Sequence, residues 1–121
     1  TLLKKIEDIV HPLLYKSRIA FSRLNQEKPI IIFDIPLLFE KQQEKNFDAV
    51  VCVTASETTQ KNRVLKRKNV TEKDFQLIKK NQLNEREKLK RASFIINTDR
   101  SISETKKDVK NIHRKIKEMT I

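Results

Sequence analysis

The sequence contains no glycine, although average usage of about 7% would predict roughly eight glycines in a chain of 121 residues. Loops of the G-x-x-x-x-G-K-[ST] type need glycines, because glycine, which has no side chain, lets backbone N–H groups close around a phosphate. No such loop can lie within this sequence. The chain also begins at Thr1, without methionine and directly inside a helical pattern. Both features predict a piece of a larger protein that is truncated at its N-terminus.

Cysteine, aromatic residues and long apolar runs are also scarce. The single cysteine, Cys52, excludes a disulfide framework or a cysteine-based metal site within the chain. Aromatic residues make up only 6% of the sequence, which predicts an aliphatic core. No signal-peptide pattern and no apolar run of bilayer length is present, so the sequence favours a soluble protein in a reducing, cytoplasmic setting.

Positive charge, in contrast, is abundant, with a net charge of +11 from 27 Lys and Arg residues against 16 Asp and Glu residues. A basic nucleic-acid-binding helical module is one interpretation, because clustered cations neutralise phosphates. Lysines are nevertheless interspersed with glutamates, as in residues 85–88, so no helix face carries charge of one sign only. The charge therefore favours a surface that attracts phosphate groups in general. The excess of lysine, isoleucine and asparagine is typical of an AT-rich genome.

The stretch Pro29–Glu40 organises the chain. Its β-branched run Ile30–Phe33 stops at Asp34, which predicts a buried strand of a parallel sheet whose carboxyl end opens onto a ligand crevice. Asp34 could hold a magnesium ion there, or could merely cap the next turn. Pro36 cannot donate to a ladder, so residues 37–39 are expected to form a loop or short helix over the crevice.

Two helices are predicted before that strand. The first has apolar residues at helical spacing up to Val10 and is broken at His11-Pro12. Pro12 then opens a second helix running to about Asn25. His11, at the corner between them, is either a structural hydrogen-bonding residue or a contact for an anion.

A second buried strand is predicted at Ala49–Val53, followed by Ser56 as the N-cap of a helix from Glu57 to Arg67. On that helix Gln60, Arg63 and Arg67 fall on one face. Two arginines just beyond a strand end are placed to clamp phosphoryl oxygens, although a solvated charged face is the alternative.

The remaining elements follow from caps and apolar spacing. Thr71 and Asp74 predict a capping box that opens one long, exposed helix to about Arg91, with the profile of a mobile lid. A third short strand is predicted at 93–97. A second capping box, Ser101 with Glu104, opens a C-terminal helix that packs one face on the sheet.

Taken together, these segments resemble dephospho-CoA kinase from its middle to its C-terminus. The resemblance covers nearly the whole chain and is carried by order and spacing, in His11-Pro12, Asp34-Ile-Pro-Leu-Leu-Phe-Glu40, Val50–Val53, Ser56-Glu-Thr-Thr-Gln60-x-x-Arg63-x-x-x-Arg67, Val70-Thr-x-x-Asp74 and Gln82. It implies an α/β chain that is part of a P-loop kinase fold, a parallel sheet with flanking helices and a helical lid, with the N-terminal strand and P-loop missing. The implied single partial kinase domain, residues 1–121, has acceptor-side helices at about 1–28, core strands at about 29–55 and 93–98, a lid at about 57–91 and a C-terminal helix at about 101–119.

The resemblance also implies roles for individual residues. Arg63 matches the lid arginine that reaches the ATP phosphates, and Arg67 matches the arginine one turn later; both are expected to be catalytic. The residues that match family positions on the acceptor side are His11, Pro12, Asp34, Pro36, Leu37, Leu38 and Glu40. Those that match positions on the nucleotide side are Gln60, Arg63, Gln82, Asn97 and Thr98. After the third strand the family often places asparagine near the adenine, whereas here that position holds Thr98, one residue after Asn97.

The function implied by the resemblance is transfer of the ATP γ-phosphate, with Mg²⁺, to the ribose 3′-hydroxyl of dephospho-CoA, the last step of coenzyme A biosynthesis. The family's P-loop and its proposed catalytic base have no counterpart here, so the chain alone is expected to be inactive. The missing segment could act as a separate partner chain. A non-catalytic remnant and a basic nucleic-acid-binding module remain the alternatives.

Overall fold

The first unit of the chain, Thr1–Asp34, consists of one long helix followed by an irregular segment. In the computed structural model, which describes residues 1–119, helix α1 spans Leu2–Leu24. Its N-cap is Thr1, whose hydroxyl accepts a hydrogen bond from the Lys4 N–H at 3.3 Å. At the other end the Asn25 side chain donates to the Phe21 carbonyl at 2.8 Å.

The predicted break at His11-Pro12 is wrong, because α1 runs through both residues without interruption. Proline removes a single helical hydrogen bond, the one that its own N–H would donate to the residue-8 carbonyl. Good helix formers lie within two turns on both sides of it, namely Lys5 and Glu7 before it and Leu13, Leu14 and Lys16 after it. The helix continues across that gap. His11 therefore lies on the exposed surface of a continuous helix rather than at a corner between two helices.

The predicted strand at Ile30–Phe33 is also not formed. Residues 30–35 have no regular structure, and no strand of the described residues pairs with them. The Phe33 ring meets the Phe21 ring edge to face, with centroids 5.7 Å apart, whereas Ile32 is 81% exposed. The apolar pattern is that of a buried strand, but a strand also needs a ladder partner, and a sequence pattern cannot supply one.

The second unit, Ile35–Ile121, contains the sheet. Turns at residues 36–42 and a one-turn 3₁₀ helix at Glu44–Asn46 lead into it. The regular elements that follow are β1 (Val51–Thr54), α2 (Glu57–Leu65), α3 (Glu72–Lys80), α4 (Glu85–Arg91), β2 (Phe94–Asn97) and α5 (Ile102–Lys117).

Strands β1 and β2 pair in parallel, with Val51 opposite Phe94 and Thr54 opposite Asn97. Helices α2, α3 and α4 form the crossover, and α5 packs against β2. This confirms the predicted α/β class with a parallel sheet and flanking helices. It also places the ends of both strands, Thr54 and Asn97, at one edge, where ligands bind in open parallel sheets.

Both faces of this sheet are partly exposed in the described residues. Residues that lie opposite each other in a parallel pair point to the same face, so Cys52 and Ile95 lie on one face and Val53 and Ile96 on the other. Cys52 and Ile96 are buried, whereas Val51, Val53 and Ile95 are 38%, 63% and 47% exposed. The predicted second buried strand is therefore buried only in part, although its continuous apolar run is typical of a strand covered on both faces.

The core of the second unit lies on the side of the sheet to which Cys52 points. Phe39, Val50 and Cys52 form its centre, and partly buried hydrophobic residues of the segments 38–47 and 83–92 pack on it: Leu38, Phe47, Leu83, Leu89 and Ala92. Phe39 and Phe75 are 6% and 5% exposed. The expected purely aliphatic core is wrong in this respect, because the few aromatic residues are concentrated where they bury most area.

Local capping signals predicted the helix starts correctly. The hydroxyls of Ser56, Thr71 and Ser101 each accept from the backbone at the start of a helix, and Thr71 and Ser101 form complete capping boxes with Asp74 and Glu104. The single long helix predicted for 72–91 is wrong, because residues 81–84 separate α3 from α4. Asn84 caps α4 by accepting from the Arg86 N–H at 2.8 Å, and such short polar side chains compete with helix continuation.

Three residues other than glycine adopt left-handed backbone conformations, Leu37 (φ 58°), Gln42 (φ 52°) and Asn69 (φ 63°). Asparagine tolerates this region, and Asn69 lies just beyond the end of α2. Leu37 and Gln42 lie in the turns that precede the sheet.

None of the helices formed by residues 1–119 combines the length and the apolar character needed to cross a bilayer.

Candidate functional site

The carboxyl edge of the two-stranded sheet is held together by Thr54 and Thr98. The Thr98 N–H donates to the Thr54 carbonyl at 2.8 Å, and the Thr98 hydroxyl donates to the same carbonyl at 3.1 Å. Thr98 thereby extends the parallel ladder by one residue beyond β2. This fixes the loop after β2 against the end of β1.

Helix α2 brings Arg63 to this edge. Nη1 of Arg63 donates to the Thr98 hydroxyl and Nη2 donates to the Thr98 carbonyl, both at 2.8 Å. The guanidinium thus makes a two-pronged contact with a residue 35 positions further along the chain. Because the side chain remains exposed, it can also contact a ligand at the strand ends.

Asp99 ties the same loop to the start of α2. Its Oδ2 accepts from the Ser56 N–H at 2.7 Å, and its Oδ1 accepts from the Ser56 hydroxyl at 3.2 Å. Hydrogen bonds from the Thr59 hydroxyl and the Ser56 N–H, with a smaller contribution from the positive charge of Arg63, lower the pKa of Asp99. The helix start that carries Arg63 is therefore fixed by an ionised carboxylate.

This predicts a pH dependence of stability. A carboxyl group whose pKa is lower in the folded chain stabilises it above the unfolded pKa of about 3.9, and this contribution is lost as the pH falls through the folded pKa. Asp99→Asn should therefore lower the thermal midpoint at pH 7, and the difference from the unmodified chain should shrink below about pH 4.

Circular dichroism melts between pH 3 and pH 7 measure this difference. Asp48→Asn is the control, because Asp48 is exposed and accepts no hydrogen bond from the described residues, so it reports the loss of one surface charge. A difference that stays constant over the whole pH range would show that Asp99 contributes no ionised contact.

A groove of about 410 Å³ opens beside Arg63, between the loop after β2 and helix α5. Its lining consists of cationic, hydroxyl and apolar side chains: Arg63, Thr98, Arg100, Ile102, Thr105, Lys106, Val109 and Lys110. No carboxylate is among these lining residues, although Arg100 is paired with Glu104 at 3.2 Å and Asp108 at 3.0 Å. Such a lining suits an anionic ligand that also has an apolar surface.

The other two residues of the predicted helical stripe are placed differently. Gln60 donates from Nε2 to the Ala55 carbonyl at 2.7 Å, so its amide is bound to the end of the strand segment. Helix α2 ends at Leu65, and Arg67 lies in the turn beyond it. The predicted single face is therefore wrong for Arg67, whose side chain is exposed and has no polar partner within residues 1–119.

The two remaining nucleotide-side residues are also exposed. Asn97 ends β2, and its Oδ1 accepts from the Asp99 N–H at 2.8 Å, which shapes the loop that carries Thr98. Gln82 lies in the connection between α3 and α4, at the middle of the predicted lid. Neither side chain lines the groove.

The turn segment Pro36–Glu40 is held in place by contacts with other residues of the second unit. Pro36 and Leu37 are exposed, and Leu38 packs on the core. Glu40 accepts from the Leu83 N–H at 3.2 Å and pairs with Lys88 at 3.5 Å. The turn is therefore bound to α4 and to the connection before it.

A second anchor for this turn was not anticipated from the sequence. Arg91 donates to the Phe39 carbonyl at 2.9 Å and to Glu44, and its guanidinium lies 5.3 Å from the centroid of the Phe39 ring. The hydrogen bond from Arg91 lowers the pKa of Glu44. No spacing rule links residues 44 and 91, so the sequence carried no signal for this pair.

His11, Pro12 and Asp34 belong to the first unit, where all three are exposed. Asp34 lies in the irregular segment after α1 and makes no hydrogen bond or ion pair with other described residues. Within residues 1–119 no group of three or more His, Cys, Asp or Glu side chains could hold a metal ion. A single carboxylate does not form a Mg²⁺ site, so the assignment of Asp34 to magnesium stays a prediction.

The fold and this edge define a class of protein. A parallel α/β unit in which a strand leads into an arginine-bearing helix, with a cationic groove at the strand ends, is consistent with part of a P-loop kinase fold. The comparison with known proteins identifies the family. The family model described as dephospho-CoA kinase matches residues 2–104.

Curated relatives named dephospho-CoA kinase agree with that match. One from Novosphingobium aromaticivorans is 40% identical over 116 residues, which cover 96% of this chain and 58% of the relative. One from Ruegeria pomeroyi is 42% identical over 115 residues, covering 95% and 57%, and one from Jannaschia sp. is 40% identical over 120 residues, covering 99% and 61%.

This chain belongs to the dephospho-CoA kinase family, which confirms the resemblance found in its sequence. It spans just under 60% of the length of the Novosphingobium and Ruegeria relatives, at 58% and 57%. The chain is thus equivalent to part of such a kinase.

Proposed function

We propose that this chain supplies the lid and the acceptor side of a kinase that transfers the γ-phosphate of ATP to the ribose 3′-hydroxyl of dephospho-CoA. The observation that carries the proposal is the position of Arg63 at the carboxyl edge of the parallel sheet, beside a cationic groove, in a chain of this family. Phosphoryl transfer requires little covalent chemistry from the protein. It depends on positioning and on stabilisation of charge at the transferring group, both of which arginine provides.

The nucleotide side of the proposed site is built around the groove. Arg63 binds the ATP phosphates, and Arg67, which has no polar partner among the described residues, reaches the same phosphates from the turn beyond α2. Gln60, Gln82, Asn97 and Thr98 complete this side. The apolar wall formed by Ile102 and Val109 offers a surface for the nucleoside.

The residues that the family resemblance assigns to the acceptor side are His11, Pro12, Asp34, Pro36, Leu37, Leu38 and Glu40. The contacts of Glu40 with Leu83 and Lys88 support this role, because they fix the turn that would face the acceptor. Asp34 would contribute to Mg²⁺ binding together with groups outside this chain, since oxygen ligands suit this cation. When bound, the metal ion would neutralise negative charge on the phosphates.

The phosphate-binding loop is absent from these 121 residues, which contain no glycine. We place it in the segment of the relatives that this chain does not span, whether joined to this chain or present as a separate partner. The proposed setting is the cytoplasm, where ATP is available.

Joining the chain to that segment of the Novosphingobium relative tests this function. The purified joined protein should convert dephospho-CoA to coenzyme A with ATP and Mg²⁺, as measured by chromatography of the product. Coenzyme A is the control acceptor, because its 3′-hydroxyl already carries phosphate and should not react. A folded joined protein that consumes no ATP with dephospho-CoA would contradict the proposed function.

A further inference from the structure

The hydroxyl group of Thr98 lies between the end of β1 and the guanidinium of Arg63. It donates its only proton to the Thr54 carbonyl at 3.1 Å, so a lone pair is left to accept from Nη1 of Arg63 at 2.8 Å. The direction of both hydrogen bonds is therefore fixed. The hydroxyl connects the sheet to the arginine in one defined orientation.

A second contact of Arg63 defines the plane of its guanidinium. Nη2 donates to the Thr98 carbonyl at 2.8 Å, so two N–H groups of the planar guanidinium meet two oxygens of one residue. A guanidinium has five N–H donors, and this contact uses two of them. The remaining donors stay available to a ligand in the groove, which both Arg63 and Thr98 line.

We propose that Thr98 is a positioning residue whose hydroxyl holds the guanidinium of Arg63 in the orientation that binds ATP phosphates. This inference rests on the proposed function of Arg63 and assigns to Thr98 a role through that arginine, in place of the direct adenine contact that the family pattern suggests. An arginine oriented before the ligand arrives does not have to lose its rotamer freedom during binding or in the transition state.

The backbone contacts of Thr98 separate this role from a general structural one. The Thr98 N–H donates to the Thr54 carbonyl at 2.8 Å, and Asp99 independently binds Ser56. Neither contact uses the Thr98 hydroxyl. Thr98→Val removes the hydroxyl while it preserves the shape of the side chain and both loop contacts, and Thr98→Ser restores the hydroxyl.

Steady-state kinetics of the joined protein provide the first test. Thr98→Val should lower kcat/KM for ATP by about 10- to 100-fold and leave KM for dephospho-CoA unchanged, because only the orientation of Arg63 is lost. Thr98→Ser should recover most of that loss. Thr58→Val is the matched control on α2, since Thr58 is exposed and makes no side-chain hydrogen bond with the described residues.

NMR of the guanidinium group in the joined protein provides the second test and requires no activity. The Nη resonances of Arg63, assigned with Arg63→Lys, should show slow rotation in the unmodified chain and in Thr98→Ser but fast averaging in Thr98→Val.

The outcomes separate the two proposals. An active joined protein in which Thr98→Val changes neither kcat nor KM for ATP, or raises activity, would overturn the positioning role. Unchanged Nη resonances of Arg63 in Thr98→Val would also overturn the positioning role. If no joined protein phosphorylates dephospho-CoA while the resonances respond as expected, the proposed function fails and the orientation of Arg63 by Thr98 stands.

Discussion

Arg63→Ala in the joined protein should lower phosphoryl transfer by about 100- to 1000-fold and change its thermal midpoint little. The large effect is expected because negative charge is spread over the oxygens of the transferring group, which a guanidinium already oriented by Thr98 stabilises. The small effect on stability is expected because the Arg63 side chain is exposed and the loop that it contacts is also held by Asp99.

Initial rates at saturating ATP and dephospho-CoA, with calorimetric melts of the same samples, measure both parts. Lys66→Ala is the control, since it removes a positive charge at the end of the same helix from an exposed residue. Arg63→Lys keeps the charge but loses the two-pronged geometry, so it should recover only a small part of the rate. Unchanged kinetics in Arg63→Ala would exclude Arg63 from the phosphate site.

The second prediction with a large effect concerns the 121-residue chain by itself, without the segment of its relatives that it does not span. This chain alone should not phosphorylate dephospho-CoA and should be only marginally stable. It has no glycine-containing phosphate loop, and the sheet formed within residues 1–119 has two strands, which is too few for independent stability without further packing.

The structure supports the expected instability at two places. The resemblance to P-loop kinases predicts a further strand beside β1, in the segment of the relatives that this chain does not span. Residues 30–33 form no strand in this chain, and the apolar side chains of Val51 and Val53 are exposed. Each unmade buried hydrogen bond costs about 1–3 kcal/mol, against a total stability of roughly 5–15 kcal/mol for a typical domain.

Product formation and thermal unfolding of the isolated chain, compared with the joined protein, test this expectation. The isolated chain should give no product above background and a broad, low-temperature transition. Turnover approaching that of the joined protein, or a sharp cooperative transition at a similar temperature, would show that the unspanned segment supplies neither the phosphate loop nor the further strand beside β1.

The elements that sequence predicted well are those decided by neighbouring residues. Ser56, Thr71 and Ser101 start helices through contacts within three residues, so their side-chain types and spacing were sufficient. The strands at 51–54 and 94–97 were also evident, because their apolar runs are short and bounded by polar residues.

The wrong predictions concern segments whose structure depends on distant residues or on competing local preferences. The run at 30–33 has a strand pattern but no partner, and Pro12 breaks one hydrogen bond in a helix that its neighbours favour. At the candidate site, the spacing of Arg63 and Arg67 made Arg63 a candidate for binding phosphate. Its partner Thr98 is 35 positions away, so their contact could be seen only in the folded chain.

The left-handed backbone at Leu37 and Gln42 is a consequence of a sequence without glycine. Glycine is the residue that adopts this conformation without a steric penalty, and none of the 121 residues is glycine. At Leu37 and Gln42 the chain bears a conformational cost of roughly 1–2 kcal/mol per residue that glycine would avoid. The composition of the chain is thus expressed as local backbone strain, and the stability lost at these two turns has to be recovered through packing elsewhere.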